Sequence, residues 1–286
     1  MIFGPVEALA FFGIIAIGLP HGAFDAAMAV ALGRSGRSVS LPLFFTLYLA
    51  AAGAVIWLWL LFPVLSLGIF LAISLCHFGL GDRHAISDNT SHSPRFHRFL
   101  SALLIFCHGG LISIVLPYFH PAETAFLFSL ISGDNASYIS TIITYLFPIW
   151  AAAVMFYALL SFSLSALKRS LAELILLAAI MWALPPLAGF ALYFCCVHSA
   201  RHFATLYNSL RPLMPAPQLI RTGMGLTVLS WAGFAMAYMV LTRSFGLGTE
   251  TAVMQTVFIG LAALTVPHMI LVDLMFRPEF KPEAAI

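Results

Sequence analysis

Apolar stretches about as long as a bilayer is thick recur along the chain, and short segments holding nearly all the basic residues separate them. From Ser38 to Gly81 there is no Asp, Glu, Lys or Arg. A soluble domain carries about 25% of these residue types. Here they make up 8% of 286 residues, beside 62% hydrophobic residues and a mean hydropathy of +1.01. No soluble fold of this length hides so much apolar surface. In hydrocarbon the backbone must satisfy its own hydrogen bonds, which helices do. The expected fold is therefore all-α, a polytopic transmembrane helix bundle.

The pattern predicts nine spans, at 5–31, 41–62, 64–82, 97–117, 138–165, 170–187, 188–208, 222–242 and 251–276. Breaks are expected at Phe62-Pro63 and Pro185-Pro186. The segment 118–136 reads as a short interfacial helix. No second domain or repeat is visible, so residues 1–286 form a single membrane catalytic domain.

Basic residues orient this map. Arg34 and Arg37, Arg83, Arg95 and Arg98, Lys168 and Arg169, Arg211 and Arg221, and Arg277 and Lys281 all fall after odd-numbered spans. Only Arg243 falls on the other side, and Arg201 sits within a helix. The positive-inside rule then sets the N-terminus outside and the C-terminus in the cytoplasm. The expected location is the cell's inner (plasma) membrane. The N-terminus lacks Lys and Arg, and its first apolar stretch is too long for a cleavable signal peptide. Basic clusters of the kind that bind nucleic acid are absent. Cys76, Cys107, Cys195 and Cys196 form no CxxC pair and read as buried small hydrophobes without disulfides.

Five of the ten histidines, His21, His77, His198, His202 and His268, interrupt apolar stretches. An ionisable ring is costly in lipid and marks a functional interior. At about 1.5 Å per residue, all five fall between the midplane and the cytoplasmic leaflet. Shared depth favours one polar site. His198 and His202 form H-S-A-R-H, and an i, i+4 pair on one helix face can bind one ion. His21 lies in G-L-P-H-G-A-F-D, where Pro20 and the glycines loosen the helix. Asp25, one turn on, can accept the free ring N–H of His21 or pair with Arg201. His77 lies in C-H-F-G-L-G-D-R-H, with Gly79 and Gly81 permitting close helix contact and His84 near the surface beside Asp82 and Arg83. His268, in V-P-H-M-I-L-V-D with Asp273 behind it, reads as a further ligand or as a donor behind the ligands. His108 is a possible site-lining residue. His92, His97 and His120 read as solvated. Neutral nitrogen ligands suit Fe, Cu or Zn. Phe (26) and Met (11) are the types that an apolar substrate tunnel uses, and also those that simply face lipid.

Three other readings are open to a histidine-bearing membrane bundle. A membrane di-iron desaturase or hydroxylase needs HxxHH boxes, which the chain lacks. A metal-ion transporter needs a path to both faces, whereas the histidines gather toward one. A retinal-binding opsin needs a lysine inside the membrane, and Lys168 and Lys281 lie outside the spans.

Taken together and in order, G-L-P-H-G-A-F-D, H-F-G-x-G-D, H-S-x-R-H and P-H-M resemble the bacterio-opsin-related (Brp/Blh) family of membrane β-carotene 15,15'-dioxygenases, from residue 18 to residue 273. The resemblance implies an Fe(II) enzyme that uses O2 to split the central double bond of β-carotene into two all-trans-retinal molecules. It implies His21, His77, His198 and His202 as iron ligands and leaves the role of His268 open. No catalytic side chain beyond the metal centre is expected. β-Carotene, O2 and the lipid bilayer are the implied partners, with a functional link to a microbial rhodopsin that takes up the retinal. Arg201 would neutralise carboxylates such as Asp25 or Asp273.

Overall fold

The computed structural model describes residues 3–34, 40–83 and 93–276. Among these every regular element is helical and none is a strand. The α-helices are α1 (Pro5–Gly13), α2 (Asp25–Arg34), α3 (Leu41–Leu61), α4 (Pro63–Arg83), α5 (Pro94–Gly110), α6 (Leu116–Phe119) and α7 (Pro121–Ser132), then α8 (Ser137–Ser163), α9 (Leu167–Ala183), α10 (Pro186–Ala191), α11 (Ala200–Leu210), α12 (Ala216–Arg243) and α13 (Thr249–Phe276). Arg37, His84, His92, Arg277 and Lys281, used or weighed in the sequence reading, lie outside the described residues.

Among the described residues, six helical segments are long and apolar enough to cross a membrane: Leu41–Leu61, Pro63–Asp82, Arg95–Phe119, Ser137–Ser163, Ala216–Arg243 and Thr249–Met275. Their outer faces carry large apolar side chains such as Trp57, Leu60 and Phe162, as lipid contact requires. The other three predicted spans are helical but depart from the expected single rods. Residues 5–31 divide into α1, a π-helical stretch (Ile14–Gly18), a 3-10 turn (Leu19–Gly22) and α2. The span predicted at 170–187 is the shorter α9, and 188–208 divides into α10, a π-helical stretch (Leu192–Ser199) and α11. The expected interfacial helix within 118–136 is α7.

Local chemistry accounts for the ends. Ser40 caps α3 and Ser93 caps α5, each side chain accepting a backbone N–H three residues on. Pro63 opens α4 and Pro186 opens α10, because proline fits the first turn while the residue before it leaves the helical region. Both predicted proline breaks are present.

The chain divides into two compact units. In the first (residues 1–4, 12–63 and 199–286), the core gathers Phe24, just ahead of α2, with Ala27 and Met28 of α2, Leu206 and Leu210 of α11, Leu219 of α12, and Leu271 and Met275 of α13. Phe24 meets Phe203 edge to face at 5.2 Å, and Gly223 leaves room for the Phe24 ring. The Trp231 indole donates to the Ile15 carbonyl at 2.8 Å, satisfying a backbone acceptor in the first π-helical stretch.

In the second unit (residues 5–11 and 64–198), α4 and α5 touch backbone to backbone. A side chain at Gly79 would strike the Ile105 backbone, and one at Gly109 would strike that of Leu75. Small residues at such crossings let membrane helices pack where no hydrophobic force draws them together. This bears out the close contact expected of Gly79. The contact is completed by Ser113, in a π-helical stretch (Leu111–Val115), which donates to the Leu71 carbonyl of α4 at 2.9 Å, while Trp150 of α8 donates to the Cys107 carbonyl of α5 at 2.8 Å.

No cysteine forms a disulfide. Only Cys107 and Cys195 are buried, however. Cys76 and Cys196 lie exposed, contrary to the expectation for all four, because their helix faces point out of the fold.

Candidate metal centre: a histidine pair in each unit

In the second unit, α4 carries His77 near its C-terminal end, and the π-helical stretch Leu192–Ser199 carries His198. Both rings are buried. Their Nε2 atoms stand 3.1 Å apart, with ring centroids at 4.8 Å and planes at 67°. Two nitrogens bound about 2.1 Å from one ion at a right angle to each other lie about 3.0 Å apart. The pair therefore has the separation of two ligands on one ion, and two neutral imidazoles are suitable donors for a first-row metal.

The setting holds His198 in place. A side chain at Gly81 would come within 2.9 Å of His198 Cε1 and 3.2 Å of Nδ1, so only glycine lets the ring lie against α4. Phe78 meets His198 edge to face at 4.7 Å. Tyr193, wholly buried, lies near parallel to the His198 ring and donates its hydroxyl to Asp82 Oδ2 at 2.8 Å. Asp82 is itself buried.

In the first unit, His268 of α13 donates Nδ1–H to Asp25 Oδ1 at 2.7 Å, with both side chains buried. The other oxygen of Asp25 accepts from the Tyr48 hydroxyl of α3 at 2.8 Å. Asp25 opens α2, where the amide dipoles favour a negative charge. A side chain at Gly22 would approach Asp25 Oδ2 to 3.1 Å. His202, half-buried on α11, has its ring 4.9 Å from that of His268, at 71°.

Both carboxylate oxygens of Asp25 are thus engaged by residues distant in sequence, where spacing alone suggested His21 or Arg201. His21 lies in the 3-10 turn Leu19–Gly22, and its side chain is outside the described part. Arg201 is half-buried beside His202, and Asp273 lies on an exposed face of α13. Among the described side chains, no three or more His, Cys, Asp or Glu residues gather into one metal-holding group. Each unit brings one pair of histidine rings together, His202 with His268 in the first and His77 with His198 in the second.

Two further histidines of the second unit, His108 and His120, have hydrogen-bond partners within it. His108 is buried on α5 and bonds Ser170 of α9 through Nε2 at 3.0 Å. His120, read as solvated, instead clamps a helix corner. Its Nε2–H donates to the Met181 carbonyl at 2.9 Å, and Glu123 lies 3.1 Å from Nδ1.

The sequence reading missed Tyr48 and Tyr193. A buried phenol needs a partner, and Tyr48 is an isolated polar tip in a charge-free run, a signal that was present. The π-helical stretches left no sequence signal, yet one ends three residues before His21, one starts three after His108, and one contains His198. Such stretches are frequent at functional sites.

Among the described residues, the all-helical fold, its long apolar helices and the histidine pairs within each unit define a membrane protein with imidazoles inside its fold. A family model for beta-carotene 15,15'-dioxygenase matches residues 12–276, and the chain belongs to that family. It is 36% identical over 268 residues to "Beta-carotene 15,15'-dioxygenase" of the uncultured marine bacterium 66A03, covering 93% of this chain and 92% of that one. It is 26% identical over 287 residues to "Probable beta-carotene 15,15'-dioxygenase Blh" of Halobacterium salinarum (strain ATCC 700922 / JCM 11081 / NRC-1), covering 93% and 83% respectively. No solved structure matches the chain significantly.

Proposed function

We propose that this protein is a membrane β-carotene dioxygenase that cleaves the central 15,15' double bond with O2 to give two all-trans-retinal molecules. The family match over residues 12–276 carries this reading, since it takes in every candidate ligand from His21 to His268. The substrate is a hydrocarbon that lives in the bilayer, and the chain's helices are apolar on their outer faces.

The proposed cofactor is Fe(II), held by His21, His77, His198 and His202. The 3.1 Å approach of His77 and His198 supports two members of this set. When bound, the iron would supply O2 activation. The protein's own share is to present neutral nitrogens, exclude water and hold the central double bond in place. One oxygen atom adds to each carbon of the broken bond, so the reaction balances without taking up or releasing a proton. No acid or base is needed.

The proposed topology has nine crossings in the inner (plasma) membrane, with the N-terminus outside and the C-terminus cytoplasmic. The distribution of basic residues supports it. A microbial rhodopsin is the proposed consumer of the retinal.

Co-expression in carotene-producing cells tests the activity. Wild type should bleach the cells and accumulate retinal, while His21→Ala and His202→Ala should leave carotene intact. Carotene persisting with well-expressed wild type and added iron would refute the reading.

A further inference from the structure

The resemblance leaves His268 unassigned, and the structure gives it a specific setting. Its Nδ1 faces a carboxylate at 2.7 Å, which fixes the tautomer with the proton on Nδ1 and the lone pair on Nε2. Metal-binding histidines commonly have this arrangement, with the remote N–H donated to a carboxylate that is itself anchored. Here Tyr48 is the anchor, at 2.8 Å from the second oxygen of Asp25. The Tyr48 hydroxyl also lies 3.3 Å from the Leu264 carbonyl, on the same helix as His268 and one turn before it. Three helices, α2, α3 and α13, thus join to set the orientation of one ring. That ring packs against His202 at 4.9 Å, close to a residue of the proposed ligand set.

We propose that His268 is a ligand of the metal centre through Nε2, with Asp25 and Tyr48 as the residues that position it. The inference rests on the reading of this protein as a metal enzyme and adds to its ligand set.

The alternative is a carboxylate–histidine pair that merely ties α2 to α13. Such a pair would affect folding but not the metal's electronic environment. The test therefore reads the metal itself. Full-length protein is purified in detergent, stripped with chelator and titrated with Fe(II) and, separately, with Co(II). The visible Co(II) spectrum reports ligand number and type without any turnover. Wild type, His202→Ala, His268→Ala, His268→Gln, Asp25→Asn and Tyr48→Phe are compared.

The proposal expects His268→Gln to shift the Co(II) bands and to weaken metal binding at least a hundredfold. Asp25→Asn should weaken it about 10- to 100-fold, as loss of a partner behind a ligand does. Tyr48→Phe should act in the same direction but less. Should His268→Ala fail to fold, the near-isosteric His268→Gln and the full-size Asp25→Asn keep the test intact. His268→Gln with wild-type affinity and an unchanged Co(II) spectrum, while His202→Ala loses metal, would overturn the proposal and leave the metal-enzyme reading standing. Wild type that binds neither ion would overturn both.

Discussion

Each unit sets a tyrosine hydroxyl against a buried aspartate at 2.8 Å, Tyr48 on Asp25 in the first and Tyr193 on Asp82 in the second. Their histidines are arranged differently. In the first unit the carboxylate grips a ring, fixing His268 from behind. In the second, His77 and His198 meet through Nε2, and the His198 ring is positioned by packing against Gly81 and Phe78 and beside Tyr193. A carboxylate orients His268, and close packing holds His198. The two should therefore fail differently, the first when a proton partner is changed, the second when volume is added.

The largest effect is expected at the second unit's pair. His77→Ala or His198→Ala should each cut retinal formation in carotene-producing cells by more than about a hundredfold, since a direct ligand outweighs the 10- to 100-fold effect of a residue behind it. Activity within tenfold of wild type in either variant would remove that residue from the ligand set.

Next comes Gly81→Val. Its added carbons meet the His198 ring, and overpacking of this kind costs about 1–3 kcal/mol. Iron per chain should fall at least about tenfold. Gly53→Ala is the control, since a side chain there meets nothing within 4 Å. Equal iron content in the two variants would show that steric fit does not hold His198.

The tyrosines sharpen the contrast further. Tyr193→Phe keeps the ring beside His198 but leaves buried Asp82 without that donor, at a cost of about 1–3 kcal/mol. It should lower the melting temperature in detergent while iron affinity stays within about threefold. Tyr48→Phe should lower iron affinity more than Tyr193→Phe does. The reverse order would break the comparison.

The smallest effect is expected at His120→Ala. Losing its bond to the Met181 carbonyl should cost about 1 kcal/mol of stability. Metal binding and retinal yield should be unaffected, and a loss of iron would assign His120 a role in the site.

Much of this was legible in the sequence because lipid leaves few options. The charge-free run from Ser38 to Gly81 pointed to helix, which α3 and α4 supply, and Pro63 and Pro186 broke their helices where proline must. The buried histidines stood out for their cost in an apolar stretch. Pairings across long sequence separations did not stand out. Asp25 has His21 four residues ahead of it, yet its carboxylate lies against residues 23 and 243 positions away. The spans at 5–31 and 188–208 read as rods because hydropathy does not register a π-helical stretch. Cys76 and Cys196 depart from the expected burial because composition says nothing about which helix face a residue occupies.

The most direct test of the central claim is turnover by purified full-length protein, chelator-stripped and then reloaded with Fe(II), with Zn(II) or with nothing, supplied with β-carotene in detergent under air. The account predicts retinal only in the Fe(II) sample, two molecules for each β-carotene consumed. Equal turnover in the metal-free sample, or a product other than retinal, would contradict it.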